Sequence, residues 1–152
     1  MRIVIASDHA AVELRETVAA NLRHIGHDVI DLGVAAGQKA DYPDQAAAVG
    51  YAVARGQAER GVLLCGSGIG VSMAANKVAG IRAALVHDEA TARLAREHND
   101  ANVLCLGART TGPLVALQCV QAWLDATFDL RHQRRVDLLA NLDRKRAAAA
   151  GD

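Results

Sequence analysis

Short apolar runs alternate along the chain with longer stretches in which apolar positions recur at helical spacing. The runs "RIVIA" (2–6), "DVIDL" (28–32), "GVLLC" (61–65), "IRAALV" (81–86) and "NVLCLG" (102–107) are rich in β-formers and too short for helices. Between the first two, Leu14, Val18, Leu22 and Ile25 recur at spacings of four, four and three, a stripe that predicts a helix stopped by Gly26. Val49 and Val53 mark the inner face of the next helix, and Leu117, Val120 and Leu124 that of the helix after the fifth run. Strands alternating with helices predict βαβ units and a parallel sheet. Five strands with helices on both faces make a doubly wound, three-layer α/β/α sandwich, in which ligands bind beyond the carboxyl ends of the strands. That rule points to "SDHAA", "CGSGIG", "HDEAT" and "GART", which follow the first, third, fourth and fifth runs.

After Trp123 the pattern changes. "DLRHQRRVDLLANLDRKRAAAAGD" predicts a C-terminal helix with Val136, Leu139 and Leu142 on one side. The sheet has no place left for it, so packing on another subunit is expected. Residues 147–152 are expected to fray.

The composition narrows the ligand classes. At 152 residues the chain is expected to form one domain over 1–152, and with 51% apolar but 3% aromatic residues its core must be built from Val, Leu, Ile and Ala. Seventeen basic residues balance 17 acidic ones, which leaves no general attraction for nucleic acid or an anionic membrane. Any charged ligand must meet a local cluster. The first apolar run is too short for a signal-peptide core, and no stretch approaches a membrane span, so the cytoplasm is the expected location. Three cysteines without a CxxC argue against a disulfide framework and a structural zinc site. Cys105 and Cys119 read as small buried hydrophobes.

The candidate chemistry lies in the loops. Gly66, Ser67, Gly68, Ile69 and Gly70 read as a turn between a strand and a helix beginning at "VSMAANKV", whose first amides have no helical partners. Such a loop offers N–H groups to a phosphate or to an oxyanion; a tight turn that needs glycine for its dihedrals accounts for the same residues. A dinucleotide fingerprint with Asp88 as its acidic residue is weakly supported, because Val71 stands where the third glycine belongs. Cys65 ends its strand beside a helix amino terminus, which favours the thiolate, and reads either as a reactive thiol or as an inert buried one. Asp8 and His9 reach the same sheet edge. "REHNDAN" (96–102) brings His98 and Asn99 to the loop before the fifth strand, with Asn99 a candidate left-handed helix cap. His9, His98 and His132 lack metal-ligand spacing, so no metal is expected. Arg131 and Arg135 are four apart and on a helix would grip one phosphate, or form a solvated helix start with Arg134. "DYPDQ" (41–45) reads as a helix start with Pro43 in the first turn.

Taken in order, "SDHAA", "DYPD", "CGSGIGVSMAANKVAGIRAA", "EHNDANVLCLGAR" and "RHQRRV" resemble the type B ribose-5-phosphate isomerases and their galactose- and allose-6-phosphate relatives over nearly the whole chain. The resemblance implies a Rossmann-like sandwich working as a homodimer or dimer of dimers, with active sites shared between subunits. It also implies a reaction without metal or cofactor that interconverts aldose and ketose phosphates through an enediolate. Cys65 matches the family's proton-transferring cysteine, and the amides from Gly66 to Gly70, including those of Gly68 and Ile69, would stabilise the negative oxygen. His98 matches the ring-opening histidine with Ser67 as its hydroxyl partner, Asp8 would hold or shuttle protons, and Asn99 would orient the oxyanion. His9, Arg131 and Arg135 match phosphate-binding positions, Arg109 assists, and Tyr42 lines the substrate. One branch replaces the cysteine by a later glutamate; Val71 and Ser72 offer none, so the cysteine branch applies. Ribose 5-phosphate is the expected substrate, with allose 6-phosphate, galactose 6-phosphate and tetrose phosphates as alternatives, and "VAAGQKADYPD" (34–44) as the segment that could set cavity length. A non-catalytic nucleotide- or small-ligand-binding module of the same fold is the competing class.

Overall fold

All five apolar runs form strands in the computed structural model, which describes residues 1–149: β1 Arg2–Ser7, β2 Asp28–Asp31, β3 Arg60–Cys65, β4 Ala83–Leu85 and β5 Val103–Gly107. They pair in parallel in the order β2-β1-β3-β5-β4. The chain leaves β1 to one side for β2 and returns on the other for β3, so the switch point falls between β1 and β3. In open sheets that crevice is where ligands bind. Here it is flanked by Asp8 and Cys65.

Strand residues alternate between two cores, as the period-two geometry requires. Ile3, Ile5, Val62, Leu64, Leu104 and Leu106 face one layer, made by the helices α1 (Val12–His24), α4 (Glu89–Asn99) and α5 (Pro113–Asp125). Val4, Ala6, Leu63, Cys65, Val103 and Cys105 face the other, made by α2 (Tyr42–Ala54) and α3 (Ile69–Ala75). The three-layer sandwich is therefore as expected. Trp123, fully buried on α5, donates its indole N–H to the Ala101 carbonyl at 3.1 Å, which satisfies its polar edge.

Two helical readings and one strand reading need correction. The α1 stripe ends at Leu22: Ile25 caps the helix and is exposed, while Gly26 supplies the positive φ of 90° that turns the chain away. The face that α5 buries is Ala116, Cys119, Val120 and Trp123, with Leu117 and Leu124 at its margins. Small residues there let α5 approach α4, whose buried positions are Ala92 and Ala95; counting only large apolar residues rotates the predicted face. The run 81–86 yields only three strand residues. At this edge the Asn76 amide pairs with both the N–H and the carbonyl of Ala83, so a side chain covers part of the open ladder.

A 3-10 turn, Leu130–His132, leads into the C-terminal helix α6 (Gln133–Ala149). Val136 is buried, whereas Leu138, Leu139 and Leu142 are exposed. The helix is tied to the body by the Gly80 N–H donating to Asp143 at 2.8 Å and by Arg146 donating to the Lys77 carbonyl. It continues through Ala149, into the stretch expected to fray; residues 150–152 of that stretch lie outside the described part. Among the described residues no helix is long and apolar enough to cross a membrane.

Candidate active site

The glycine loop is shorter than its sequence suggests. Ile69 and Gly70 already belong to α3, and Gly68 is its cap with φ 76°. Gly68 is required twice over: its φ is left-handed, and a Cβ there would lie 2.9 Å from the Leu106 carbonyl carbon. Gly70 has a different reason. A Cβ at that position would come within 2.8 Å of the Tyr42 ring, so the missing side chain is the seat on which the tyrosine rests. Tyr42 in turn is placed by the start of α2, where Asp41 is the cap and Pro43 stands in the first turn, as the sequence predicts.

Main-chain bonds join the loops after β3 and β5. The Ala108 N–H donates to the Cys65 carbonyl and the Arg109 N–H to the Gly66 carbonyl, both at 2.9 Å, which brings Arg109 over Gly66. The end of β1 is held from below by buried Arg15, which donates to Ser7 Oγ at 3.2 Å and the Val34 carbonyl at 2.8 Å, and pairs with Asp31 at 3.2 Å. Asp8, immediately beyond, is buried and accepts from the Ala10 N–H at 2.9 Å. His9 Nδ1 lies 3.2 Å from the Ala40 carbonyl. A carbonyl can only accept, so this contact requires a proton on Nδ1.

Cys65 is 5% exposed and its Sγ accepts from the Gly68 N–H at 3.1 Å. Ser67 Oγ accepts from the Ile69 N–H at 3.3 Å. A cleft of about 690 Å³ brings together Cys65, Asp8, His9, Tyr42 and Arg109, floored by Gly66, Ser67, Ile69 and Gly70. Met73 and Thr110 also line it and were not singled out from sequence. Met73 stands one helical turn beyond Ile69, a spacing that could have found it; Thr110 lies within the flagged segment "GART".

The other thiols behave as expected of buried ones. Burial, with Cys65 nearby, raises the Cys105 thiol far above its ordinary range. Cys119 is pushed up to about 11, by burial first and then by Asp88 and Glu89. Asp88 itself caps α4 by accepting from the Thr91 N–H at 2.7 Å. Its carboxylate is thereby engaged in the helix cap, which removes the support for a dinucleotide fingerprint. Among the described residues no three His, Cys, Asp or Glu side chains are grouped to hold a metal ion.

His98, Asn99, Arg131 and Arg135 are not in this cleft. His98 and Asn99 end α4, and the left-handed residue beyond them is Asp100, φ 50°, not Asn99 as the sequence reading has it. The His98 ring lies 4.4 Å from that of His132. Arg131 Nε donates to His132 Nε2 at 3.1 Å, and Arg135 Nη1 is 3.1 Å from Nδ1. Arg131 sits in the 3-10 turn rather than on a regular helix, so convergence on His132, not the four-residue spacing, joins the two arginines. Burial and then the neighbouring His98, Arg131 and Arg135 lower the His132 pKa, against an opposing pull from Asp129. His132 is the member of this cluster for which sequence reading assigned no role in the site.

The two groups lie at opposite edges of the sheet. Cys65 is in register with Gly107 at the carboxyl end of β5, while the turn after α4 enters β5 at Val103. The four residue steps from Val103 to Gly107, at ~3.3 Å each, put about 13 Å of strand between these edges. Within one chain Ser67 therefore has no access to His98.

A thiol, a carboxylate, an imidazole and a guanidinium gathered at the switch point of an open parallel sheet define a small-molecule enzyme of the α/β class. Comparison with known proteins makes this specific. The sequence profile of the ribose/galactose isomerase family matches residues 3–139. The chain is 41% identical over 146 residues to ribose-5-phosphate isomerase B of Escherichia coli, covering 95% of this chain and 98% of that one. It is 44% identical over 130 residues to D-erythrulose-4-phosphate isomerase of Pectobacterium atrosepticum, covering 85% and 86%. The solved structure of ribose-5-phosphate isomerase B from Clostridium thermocellum superposes with a TM-score of 0.93 at 44% identity, covering 95% of this chain and 99% of that one. The chain belongs to the ribose/galactose isomerase family.

Proposed function

We propose that the protein interconverts ribose 5-phosphate and ribulose 5-phosphate by proton transfer through an enediolate. The observation that carries this reading is the buried Cys65, with an amide donor on its sulfur, in one cleft with Asp8, His9, Tyr42 and Arg109. As a thiolate, Cys65 takes the proton from C2 of the open-chain aldose. The electron pair moves into the C1–C2 bond and charge collects on the oxygen at C1. Asp8 carries a proton from the C2 hydroxyl towards that oxygen, and Cys65 returns its proton to C1 to give the ketose. The Gly68 and Ile69 amides are engaged by Cys65 and Ser67, so the remaining amides of the Gly66–Gly70 stretch face the task of stabilising the oxyanion. No metal or cofactor enters these steps.

The site is completed by a second copy of the chain. His98, which opens the sugar ring, Asn99, which orients the oxyanion, and the phosphate-binding Arg131 and Arg135 lie a sheet's length from Cys65, too far to serve the same substrate. A two-fold pairing gives each Cys65 cleft the His98 edge of its partner, and each copy returns the contribution. In that arrangement Ser67 meets the partner's imidazole, and the phosphate is held by His9 and Arg109 from one side and two arginines from the other. Exposed Tyr42, Ile69 and Met73 around the cleft, and Leu138, Leu139 and Leu142 on α6, support an apolar contact of this kind. A homodimer is the smallest such assembly, and a dimer of dimers preserves it.

The substrate alternative rests on the family's breadth, since one relative at 44% identity is a D-erythrulose-4-phosphate isomerase. Of the segment 34–44 only Tyr42 reaches the cleft, so the tyrosine rather than the rest of the loop limits its length. The deciding experiment compares kcat/KM of the purified protein for ribose 5-phosphate, allose 6-phosphate, galactose 6-phosphate and a tetrose phosphate, with and without a chelator. Preference for ribose 5-phosphate, unaffected by chelation, is expected. Preference for another sugar replaces the substrate, and inactivity on all four overturns the isomerase reading in favour of a binding module.

A further inference from the structure

The turn that follows His98 and Asn99 is held with unusual completeness for a surface connection. Asp100 is the one non-glycine residue with positive φ among those described. Its carboxylate is shared by two guanidinium groups, Arg82 at 2.7 Å and Arg96 through the other oxygen. Arg82 does more than pair with it. Its Nε donates to the carbonyls of Asn99 at 3.1 Å and Asp100 at 3.0 Å, and its own N–H donates to the Asn102 side chain at 2.8 Å. Asn102 reaches on to the Gly80 carbonyl at 2.9 Å, and Arg96 lies 3.4 Å from the Ala101 carbonyl. One arginine thus grips the main chain on the carboxyl side of His98 at two consecutive carbonyls, and one carboxylate keeps that arginine in place.

The left-handed conformation matters because it fixes the direction in which α4 ends. A non-glycine residue is strained there and persists only where its surroundings hold it. At Asp100 the two ion pairs and the Arg82 carbonyl contacts do so. Among the described residues His98 has no comparable tether of its own: its ring neighbour is His132, itself held between Arg131 and Arg135. The orientation of His98 and Asn99 therefore follows from the end of the helix. A helix cap in the ordinary sense would need one such contact, whereas this turn has ion pairs and main-chain bonds converging from the β4 side and from α4 itself.

We propose that Arg82 and Asp100 are positioning residues for His98 and Asn99: they lock the α4–β5 turn so that both side chains are presented to the reacting sugar of the partner's site. The proposal rests on the isomerase reading for what is presented, and on the clamp geometry for how.

The test compares Asp100→Gly, which permits the left-handed backbone but deletes the carboxylate, with Asp100→Asn, which keeps its shape and hydrogen-bonding capacity. For Asp100→Gly the expected result is a kcat lower by about tenfold to a hundredfold, with KM within about twofold of the wild type, because phosphate binding uses other residues. Asp100→Asn should recover part of the loss. In ¹H–¹⁵N spectra of the imidazole rings, the His98 and His132 signals should move while His24, at the end of α1 and outside both clusters, stays put. A kcat within about twofold of the wild type with unmoved His98 signals overturns the clamp. So does displacement of His24 to the same degree, which would mark general damage to the fold. If the wild type converts no sugar phosphate, the isomerase reading falls alone, and the ring signals still decide whether Arg82 and Asp100 set the orientation of His98.

Discussion

The two edges of the sheet are built by different means. At the Cys65 edge the backbone does the work: Gly68 turns the chain, loop amides hold Cys65 and Ser67, and main-chain bonds join the loops after β3 and β5. The Cys65 sulfur is continuous with the core, alongside Leu63 and Val71. At the His98 edge Arg82 grips the main chain of the turn, but the contacts around the imidazole rings are between side chains, most of them charged. The side chain of Arg131 is 68% exposed. An edge fixed by backbone is ready before any ligand arrives. One made of long exposed side chains gains most of its order when another surface covers it, because the cost of fixing those chains is offset only by new contacts.

Removing the sulfur should break this contrast most severely. Cys65→Ala is expected to lower kcat by on the order of 10²–10⁴-fold, the range for a lost acid–base group. The melting temperature should stay close to that of the wild type, because the site is lined by main chain and the substitution removes one atom. Substantial turnover by the folded variant in an isomerase assay would take the base role away from Cys65.

Mixing variants tests whether the two edges meet across subunits. Cys65→Ala and His98→Ala are each expected to be inactive or nearly so. Unfolded together and refolded in equal amounts, they should recover about a quarter of wild-type activity, since half of the dimers formed at random carry one intact site of two. No recovery, with mixed dimers demonstrated by mass spectrometry, would mean that both residues must come from one chain.

A smaller effect is expected from Arg131, at the His98 edge. Arg131→Ala should raise KM for the sugar phosphate by about tenfold or more, the loss of a charge-assisted hydrogen bond, and leave kcat less affected. Because Arg131 already pairs with Asp129 at 2.7 Å and donates to His132, an unchanged KM would mean that these contacts within the chain are its whole role.

How far these edges could be read from sequence follows from how each is made. Strands announced themselves through short runs of β-formers, and the rule for open sheets led directly to Asp8 and Cys65 at the switch point. The helix start at Ile69 was hidden because Gly70 looks like turn chemistry, whereas its bare Cα accommodates the Tyr42 ring. Asn99 and Asp100 both suit a left-handed cap, and what selects Asp100 is a pair of arginines, one of them 18 residues away. The separation of His98 from Cys65 was implicit in the alternation itself. A helix that leaves the carboxyl end of one strand must return to the amino end of the next, so motifs adjacent in a list of family residues need not be adjacent in one chain.

The least of the expected effects concerns pH and distinguishes the edges by stability rather than rate. His132 has its pKa held below the ordinary 6.5 by burial first and then by His98, Arg131 and Arg135, with only Asp129 opposing. A histidine that is harder to protonate when folded than when unfolded leaves the unfolded state binding more protons between the two pKa values. Its contribution is therefore complete above about pH 6.5 and is lost as the pH falls through the depressed folded value. His27 is shifted in the same direction, chiefly by burial, and adds to the same decline, so the wild-type slope alone does not identify the source. The discriminating comparison is the melting temperature between pH 5 and 8 for the wild type and for His132→Gln. The variant should lose less stability on acidification, since one of the two groups is gone. Parallel curves would mean that protonation of His132 does not strain the His98 edge, and that its arginine neighbours move aside as the charge forms.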